Sequence, residues 1–309
     1  MVRTLQTHII IVTYNGMPWL ERTLSSIPAQ YPVVLIDNAS TDATCEFIQN
    51  EYPQHTLLQE KENLGFGLAN NKGISWAIAQ GAQAVFLLNQ DAYVTPNTIA
   101  VLERVAVDLP DFGILSPVHY NGIGDALDNQ FSKYMAYDSQ PKFYGDAIAK
   151  RLKEVYEVPF VNAAGWYLPK KTLEMIGGFD PIFFHYGEDD NYVQRVQYHK
   201  LKVGVVPEST LYHDREGRLH QKPEAFSLAY FKRVENRYKV RLANINLFDI
   251  DMLIEKEEAT LAKNALKSRI RLDFNRASGY LKEKKLLGNW VKEIRKSRSQ
   301  NQTLGNHYL

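Results

Sequence analysis

The sequence predicts an α/β fold: a mainly parallel central sheet covered by helices on both faces, followed by a C-terminal helical extension. Three observations carry that reading. Short apolar runs rich in β-branched residues, His8–Thr13, Val33–Ile36 and Ala84–Leu88, alternate with stretches of helical periodicity. Asn, Asp or Gly stands just beyond each run, as strand-end turns require. Beyond about Arg218 the turn signals thin out and the chain becomes almost wholly helical in period.

Taken in order, His8–Thr13 reads as a buried strand closed by Asn15-Gly16. Pro18 stands where a first helical turn tolerates a missing N–H, and Trp19, Leu20, Leu24 and Ile27 follow at helical spacing. Val33–Ile36 is the second strand, and the cluster Asp37-Asn38-Ala39-Ser40-Thr41-Asp42 after it can cap the next helix. A strand near Thr56–Gln59, a helix over Ala69–Gln80 and a strand over Ala84–Leu88 continue the rhythm, and Thr95-Pro96 opens another helix. Residues 119–158 lose periodicity and predict a long mobile segment beside a site. Phe160–Leu168 returns to strand character, a short helix runs from Pro169 to Gly177-Gly178, an acidic helix starts at Glu188, and Val203–Val206 is a further strand. Two regions follow: residues 1–217 as an α/β domain and residues 218–309 as a helical, basic C-terminal region.

Composition bounds the function. With 309 residues, 45% hydrophobic and 23% charged, the chain can build a sizeable core. A net charge of +1 gives no reason to invoke nucleic acid. A single cysteine, Cys45, excludes an intrachain disulfide and suits a reducing cytoplasm. The apolar runs fall far short of the ~20 residues that span a bilayer, so the expected location is cytoplasmic, with peripheral attachment to the inner face of the membrane as a further option. Residues 261–300 hold twelve Lys/Arg against three Asp/Glu. Leu266, Ile270, Phe274, Leu281, Leu287, Trp290 and Ile294 recur among them, the pattern of basic amphipathic helices on an anionic membrane surface. The other reading is a stripe packed on the catalytic domain or on a second subunit of a homo-oligomer.

Four short stretches could carry chemistry. Asn89-Gln90-Asp91-Ala92 delivers a carboxylate to the end of a hydrophobic strand, where Mg²⁺ or Mn²⁺ is commonly shared with phosphates. Gly187-Glu188-Asp189-Asp190 sets three acids at a helix start, where the dipole alone favours them. Such neighbours fan out around the helix, so at least one is structural. Asn63-Leu64-Gly65-Phe66-Gly67 opens a helix containing Asn70 and Asn71, and its backbone N–H groups could approach a phosphate. His213 follows the last strand. Each alone has a plain structural explanation.

Together they resemble the family 2 glycosyltransferases, inverting enzymes of the GT-A fold. The matching blocks are HIIIVTYNG, VVLIDNASTDAT, ENLGFGLANNKGI, VFLLNQDAYV, VNAAGWYLPKKTLEMIGGFDPIFFHYGEDDNYVQRV and VPESTLYH, in family order over about residues 8 to 213. The block from Gly-Gly-Phe-Asp to Gly-Glu-Asp-Asp looks most like the rhamnosyltransferase-type polysaccharide enzymes. The resemblance implies that Thr13 and Tyr14 line the nucleotide pocket, with Asp37 accepting from a pyrimidine N–H. It implies that Asn63 and Asn71 face the ribose and phosphates, that Trp166 lines the sugar pocket, and that Glu188 lies where the acceptor is held. Asp91 would be the retained carboxylate of the family's metal motif and His213 a further metal ligand, while Asn89 departs from the motif's first acid. Asp189 matches the catalytic base.

The implied reaction takes a sugar from a nucleoside-diphosphate sugar donor to a hydroxyl of a glycan or lipid-linked acceptor. A hydroxyl is a poor nucleophile near neutral pH, so a carboxylate must accept its proton, and the helix dipole should keep Asp189 ionised. Charge on the departing diphosphate calls for a divalent cation. Two other readings stand beside this one. A sugar-phosphate nucleotidyltransferase would need a basic, Gly-rich loop after the first strand, and Thr13-Tyr14-Asn15-Gly16 is not one. A catalytically inactive nucleotide- or glycan-binding module would have no use for Asp91, Asp189 and His213 together.

Overall fold

The computed structural model describes residues 6–215 and 222–309. The boundary expected at 217/218 lies outside the described residues. In chain order the elements are β1 (Thr7–Thr13), α1 (Met17–Ser25), β2 (Val33–Asp37), α2 (Thr44–Glu51), β3 (Thr56–Gln59), α3 (Gly65–Ala79), β4 (Ala84–Leu88), β5 (Ala92–Val94) and α4 (Thr98–Asp108). Then come β6 (Phe112–Asn121), α5 (Phe131–Tyr134), α6 (Pro141–Ile148), β7 (Tyr156–Glu157), β8 (Gly165–Pro169), α7 (Lys170–Ile176), α8 (Glu188–Tyr198) and β9 (Lys202–His213). Three long helices close the chain: α9 (Leu228–Leu242), α10 (Ile250–Ile270) and α11 (Phe274–Asn301).

The strands form one sheet in the order β3-β2-β1-β4-β8-β6-β9-β5, with β7 beside β9. Its first four strands are all parallel. β8 then pairs antiparallel with both β4 and β6, while β6 and β9 are parallel and β5 and β7 antiparallel to β9. The parallel character read from the sequence thus belongs to the N-terminal half, and the second half is mixed.

Alternation along the strands builds two cores. Ile10, Val34, Ile36, Val85 and Leu87 face α3, α7 and α8, whereas Ile9, Ile11, Val33, Leu35, Phe86 and Leu88 face α1, α2 and α4. Each wholly buried Ile or Leu contributes about 1.5–3 kcal/mol of transfer free energy. Gly73 lets α3 lie flat on the sheet: a Cβ there would meet Ile10 at 2.5 Å and Ile36 at 2.6 Å.

Residues 119–158, expected as a mobile segment, are instead substantially ordered. β6 runs to Asn121, and Phe131 and Met135 bury themselves in the first core. The C-terminal helices pack around Val234, Tyr238, Leu242, Ile254, Leu261, Leu287, Trp290 and Ile294. Side chains of Ser227, Asp249 and Asp273 cap their N-termini by accepting from backbone N–H groups. The apolar stripe of residues 261–300 is therefore divided. Leu287, Trp290 and Ile294 are core, while Leu266, Ile270 and Phe274 are exposed. Neither Gly279 nor Gly288 interrupts α11, and Gly279 leaves room for the Phe226 ring.

This helical region is fastened to the sheet region. Asp180 accepts from Ser297 (2.5 Å), Asn301 (2.7 Å) and Tyr308 (3.3 Å). The Gly178 N–H donates to the His307 carbonyl at 2.7 Å, and Lys239 donates to the Ile182 carbonyl at 2.9 Å. Among the described residues no helix is long and apolar enough to cross a membrane.

Candidate active site

The carboxyl ends of β1, β2 and β4 converge, as parallel strands direct their turns to one edge of the sheet. A cavity of about 440 Å³ opens there, with Tyr14, Asn38, Asn63, Asn89, Asp91 and His185 among its walls. Tyr14 is clasped by Gln90: its N–H donates to Gln90 Oε1 at 2.8 Å, and Gln90 Nε2 donates back to its carbonyl at 3.2 Å. Asn38, which sequence reasoning treated only as part of a turn, joins β2 to the start of α3. It donates to the Gly65 carbonyl (3.1 Å) and accepts from the Leu64 N–H (2.9 Å). Asn63 is exposed and accepts from the Gly65 N–H, an Asx turn that opens α3. Gly65 has φ +80, and a Cβ on it would run into the Phe184 carbonyl, so this close approach is open to glycine alone.

Beneath the cavity lie Thr13 and Asp37, both buried. Asp37 accepts from the Thr13 hydroxyl at 3.0 Å and from the Ser40 hydroxyl and N–H at 2.5 and 2.9 Å. The bond expected from a pyrimidine N–H would be a further one to the already engaged carboxylate of Asp37. Its carboxylate faces inward and fixes the strand-end turn.

Asp91 and His213 meet because β5 pairs with β9 in a register that sets Ala92 opposite His213. His213 Nε2 stands 3.4 Å from Asp91 Oδ1, with both side chains almost wholly buried. That spacing suits two ligands of one small cation bound at about 2.1 Å, the Mg²⁺ range. On its other side His213 Nδ1 is 3.7 Å from Asp128, too far for a hydrogen bond, and Asp128 is paired to Arg215. Burial raises the Asp128 carboxyl, but Arg215 and the Phe131 N–H outweigh it and hold the group below the usual carboxylate range. Asp128 and Arg215 were not identified from sequence; they come from stretches with no readable motif. Asn89 lines the cavity with its Oδ1 buried and without a hydrogen-bond partner. Among the described residues no group of three His, Cys, Asp or Glu side chains gathers around one point. A cation here would thus take two protein ligands and complete its shell from phosphate and water.

Asp189, in the first turn of α8, is partly exposed and its carboxyl is pushed up to about 7 by burial and by neighbouring Asp190. The expectation that the helix dipole alone sets its charge is corrected: desolvation and a like charge oppose the dipole. Backbone N–H groups, that of Ala163 included, pull the other way. Next to Ala163, the Ala164 carbonyl accepts from the Asn89 N–H at 3.0 Å, which links Asp189 to the end of β4. Tyr134 from the 119–158 segment feels the charges of Asp189, Arg215 and Asp128 together.

Of the expected site residues, Tyr14, Asn63 and Asp91 line this cavity, and Asn71, Trp166 and Glu188 are among those that do not. Asn71 is buried and uses both ends of its amide on the Phe179 backbone, donating at 2.8 Å and accepting at 2.7 Å. Trp166 is wholly buried, stacked on Phe179 and beside Tyr192. Glu188 is buried behind Gly67, and burial with the charge of Asp189 pushes its carboxyl up to about 8. All three side chains are buried in this structure.

Comparison with known proteins agrees with this geometry. The family model for glycosyl transferase family 2 matches residues 8–165. The N-acetylglucosaminyl-diphospho-decaprenol L-rhamnosyltransferase of Mycobacterium tuberculosis is 25% identical over 255 residues, covering 72% of this chain and 81% of that protein. The mannosyltransferase PcManGT from Pyrobaculum calidifontis, solved with GDP-Man and Mn²⁺, superposes with a TM-score of 0.55 at 17% identity, over 97% of this chain and 85% of that one. S. aureus TarS 1–349 in complex with UDP-GlcNAc gives 0.55 at 13% identity, over 96% and 89%. These two structures share the GT-A fold with this chain. A family model that covers half of the chain, residues 8–165, on a sheet of this topology leads to one assignment: the protein belongs to glycosyl transferase family 2 and is a glycosyltransferase.

Proposed function

We propose that this glycosyltransferase moves a sugar from a nucleoside-diphosphate donor to a hydroxyl of a glycan or lipid-linked acceptor, in one inverting, metal-assisted displacement. The observation that carries the reading is the Asp91–His213 pair, almost wholly buried with its atoms 3.4 Å apart; the Asp189 carboxyl is in turn raised to about 7. Tyr14 and Asn63 would meet the nucleotide, on a floor ordered by Thr13 and Asp37. Asp91 and His213 would hold Mg²⁺ or Mn²⁺, which when bound neutralises charge on the departing diphosphate. Asp189 takes the acceptor's proton: a base titrating near neutrality combines adequate ionisation with adequate basicity. A single attack from the face opposite the leaving diphosphate inverts the anomeric centre.

The lipid-linked option draws support from the mycobacterial relative, whose name specifies a diphospho-decaprenol acceptor. Mn²⁺ is supported by its presence in related GT-A structures. Incubation with a panel of nucleotide sugars and Mn²⁺ tests the reaction class. Release of nucleoside diphosphate together with a glycoside of inverted configuration is expected. Release of pyrophosphate would instead identify a nucleotidyltransferase, and binding without turnover an inactive module.

A further inference from the structure

The turn between α10 and α11 concentrates exposed apolar and basic side chains. Leu266, Ile270, Leu272 and Phe274 are 60, 73, 75 and 64% exposed within nine residues. Single exposed apolar residues need no explanation, but a cluster at a protruding helical turn does. Lys263, Lys267, Arg269, Arg271 and Arg276 surround it, all exposed. Paired cations of the helical region, such as Arg241, Lys284 and Arg295, lie elsewhere. The one acid between residues 263 and 276, Asp273, is engaged in capping α11 through the Arg276 N–H. Beside the tip a cavity of about 560 Å³ is lined by Lys222, Arg276, Asn275, the rings of Phe226, Tyr230 and Tyr280, and Asp273, whose carboxylate is occupied in capping α11. Arg276 lies over the Tyr280 ring, its centre 6.0 Å away.

We propose that this tip docks on an anionic phospholipid bilayer. The four apolar side chains enter the boundary between headgroups and acyl chains, the five cations sit over lipid phosphates, and the cavity at Lys222 and Arg276 receives a phosphate headgroup. Charge complementarity selects this occupant. A second copy packed tip to tip would bring ten cations together, twice the five on each tip, whereas an anionic interface answers both the apolar and the basic character. The contact is peripheral, since no described helix spans a bilayer.

The test is co-sedimentation of the full chain with vesicles of phosphatidylcholine alone or mixed with phosphatidylglycerol. At low ionic strength the parent should bind the mixed vesicles only, and ~1 M salt should release it, since the screening length then falls to about 3 Å. Leu266→Ser, Ile270→Ser, Leu272→Ser and Phe274→Ser combined should weaken binding by about 100-fold or more. Lys267→Gln, Arg269→Gln and Arg271→Gln should each cost about five-fold. All these side chains are exposed, so thermal melting should match the parent. Failure of the parent to bind mixed vesicles at low salt, or parent-like binding by the serine variant, overturns the proposal. So does retention on single-stranded RNA without vesicle binding, or a dimer dissolved by the serine variant in the absence of vesicle binding. Sedimentation does not depend on turnover, so the outcome is independent of the proposed reaction.

Discussion

Asn71 and Phe179 are joined twice: the side-chain amide donates to the Phe179 carbonyl and accepts its N–H, at 2.8 and 2.7 Å. This pair ties α3 to the segment leading into α8. Asn71→Ala would leave both backbone groups buried and unpaired, at roughly 1–3 kcal/mol each. Urea denaturation should therefore show a loss of about 2–5 kcal/mol, while folded protein still binds donor. Unchanged stability with lost donor binding would restore the ligand-facing role.

Asp91 and His213 should be needed together. Replacing either with Ala is expected to lower turnover by on the order of 10²-fold or more, with thermal melting little changed. Excess chelator should silence the parent enzyme, and Mn²⁺ should revive it but not Asp91→Ala. Mn²⁺ binding measured by paramagnetic resonance with nucleoside diphosphate present provides a readout apart from activity. Full turnover in chelator would contradict the assignment.

Asp189→Asn should reduce turnover by about 10²–10⁴-fold while sparing donor affinity. In the parent, the rate should fall as pH drops below about 7, where the Asp189 carboxyl takes up a proton. Asp190→Asn removes a like charge from beside it, so the acid limb of the pH–rate profile should move to lower pH with the plateau kept. An acid limb that does not move in Asp190→Asn would refute the coupling.

Glu188→Gln should change stability rather than chemistry. Burial raises this carboxyl from 4.5 to about 8. The folded state thus holds a proton that the unfolded chain releases, and its contribution to stability is lost as pH rises from 4.5 through 8. Glutamine has no proton to lose, so the variant should gain on the parent by up to a few kcal/mol at pH above 8 and by little at pH 4. Chemical denaturation at the two pH values separates the cases. Asp189 and Asp190 titrate in the same cluster, so the double variant Glu188→Gln, Asp190→Asn should flatten the profile further.

β1, β2 and β4 were legible because apolar runs buried between two helical layers carry an unmistakable pattern. β6 was not, because Ser116, Pro117, His119 and Asn121 give it a polar surface that only tertiary pairing with β9 explains. β9 likewise continues past Pro207, through a register shift, to His213. At the site, Asp91 could be read as a carboxylate at a strand end. Its neighbour His213 could not be placed by spacing, since an antiparallel register far along the chain sets them together. Asn71, Trp166 and Glu188 were placed by resemblance, and the structure adds that all three are buried. Matching blocks transfer positions along the chain, but which way a side chain points is decided by packing, and here it points them into the core.

Asp180 binds Ser297, Asn301 and Tyr308, which follow it by 117, 121 and 128 residues. The consequence concerns the order of synthesis. As the chain leaves the ribosome, the strands and Asp189 emerge first, but the clamp at Asp180, nine residues before that carboxylate, cannot close fully until Tyr308 is out. A nascent chain paused in α10 would hold every candidate catalytic side chain and still lack the grip that seats α8, so competence for sugar transfer should arrive only once the helical region is complete.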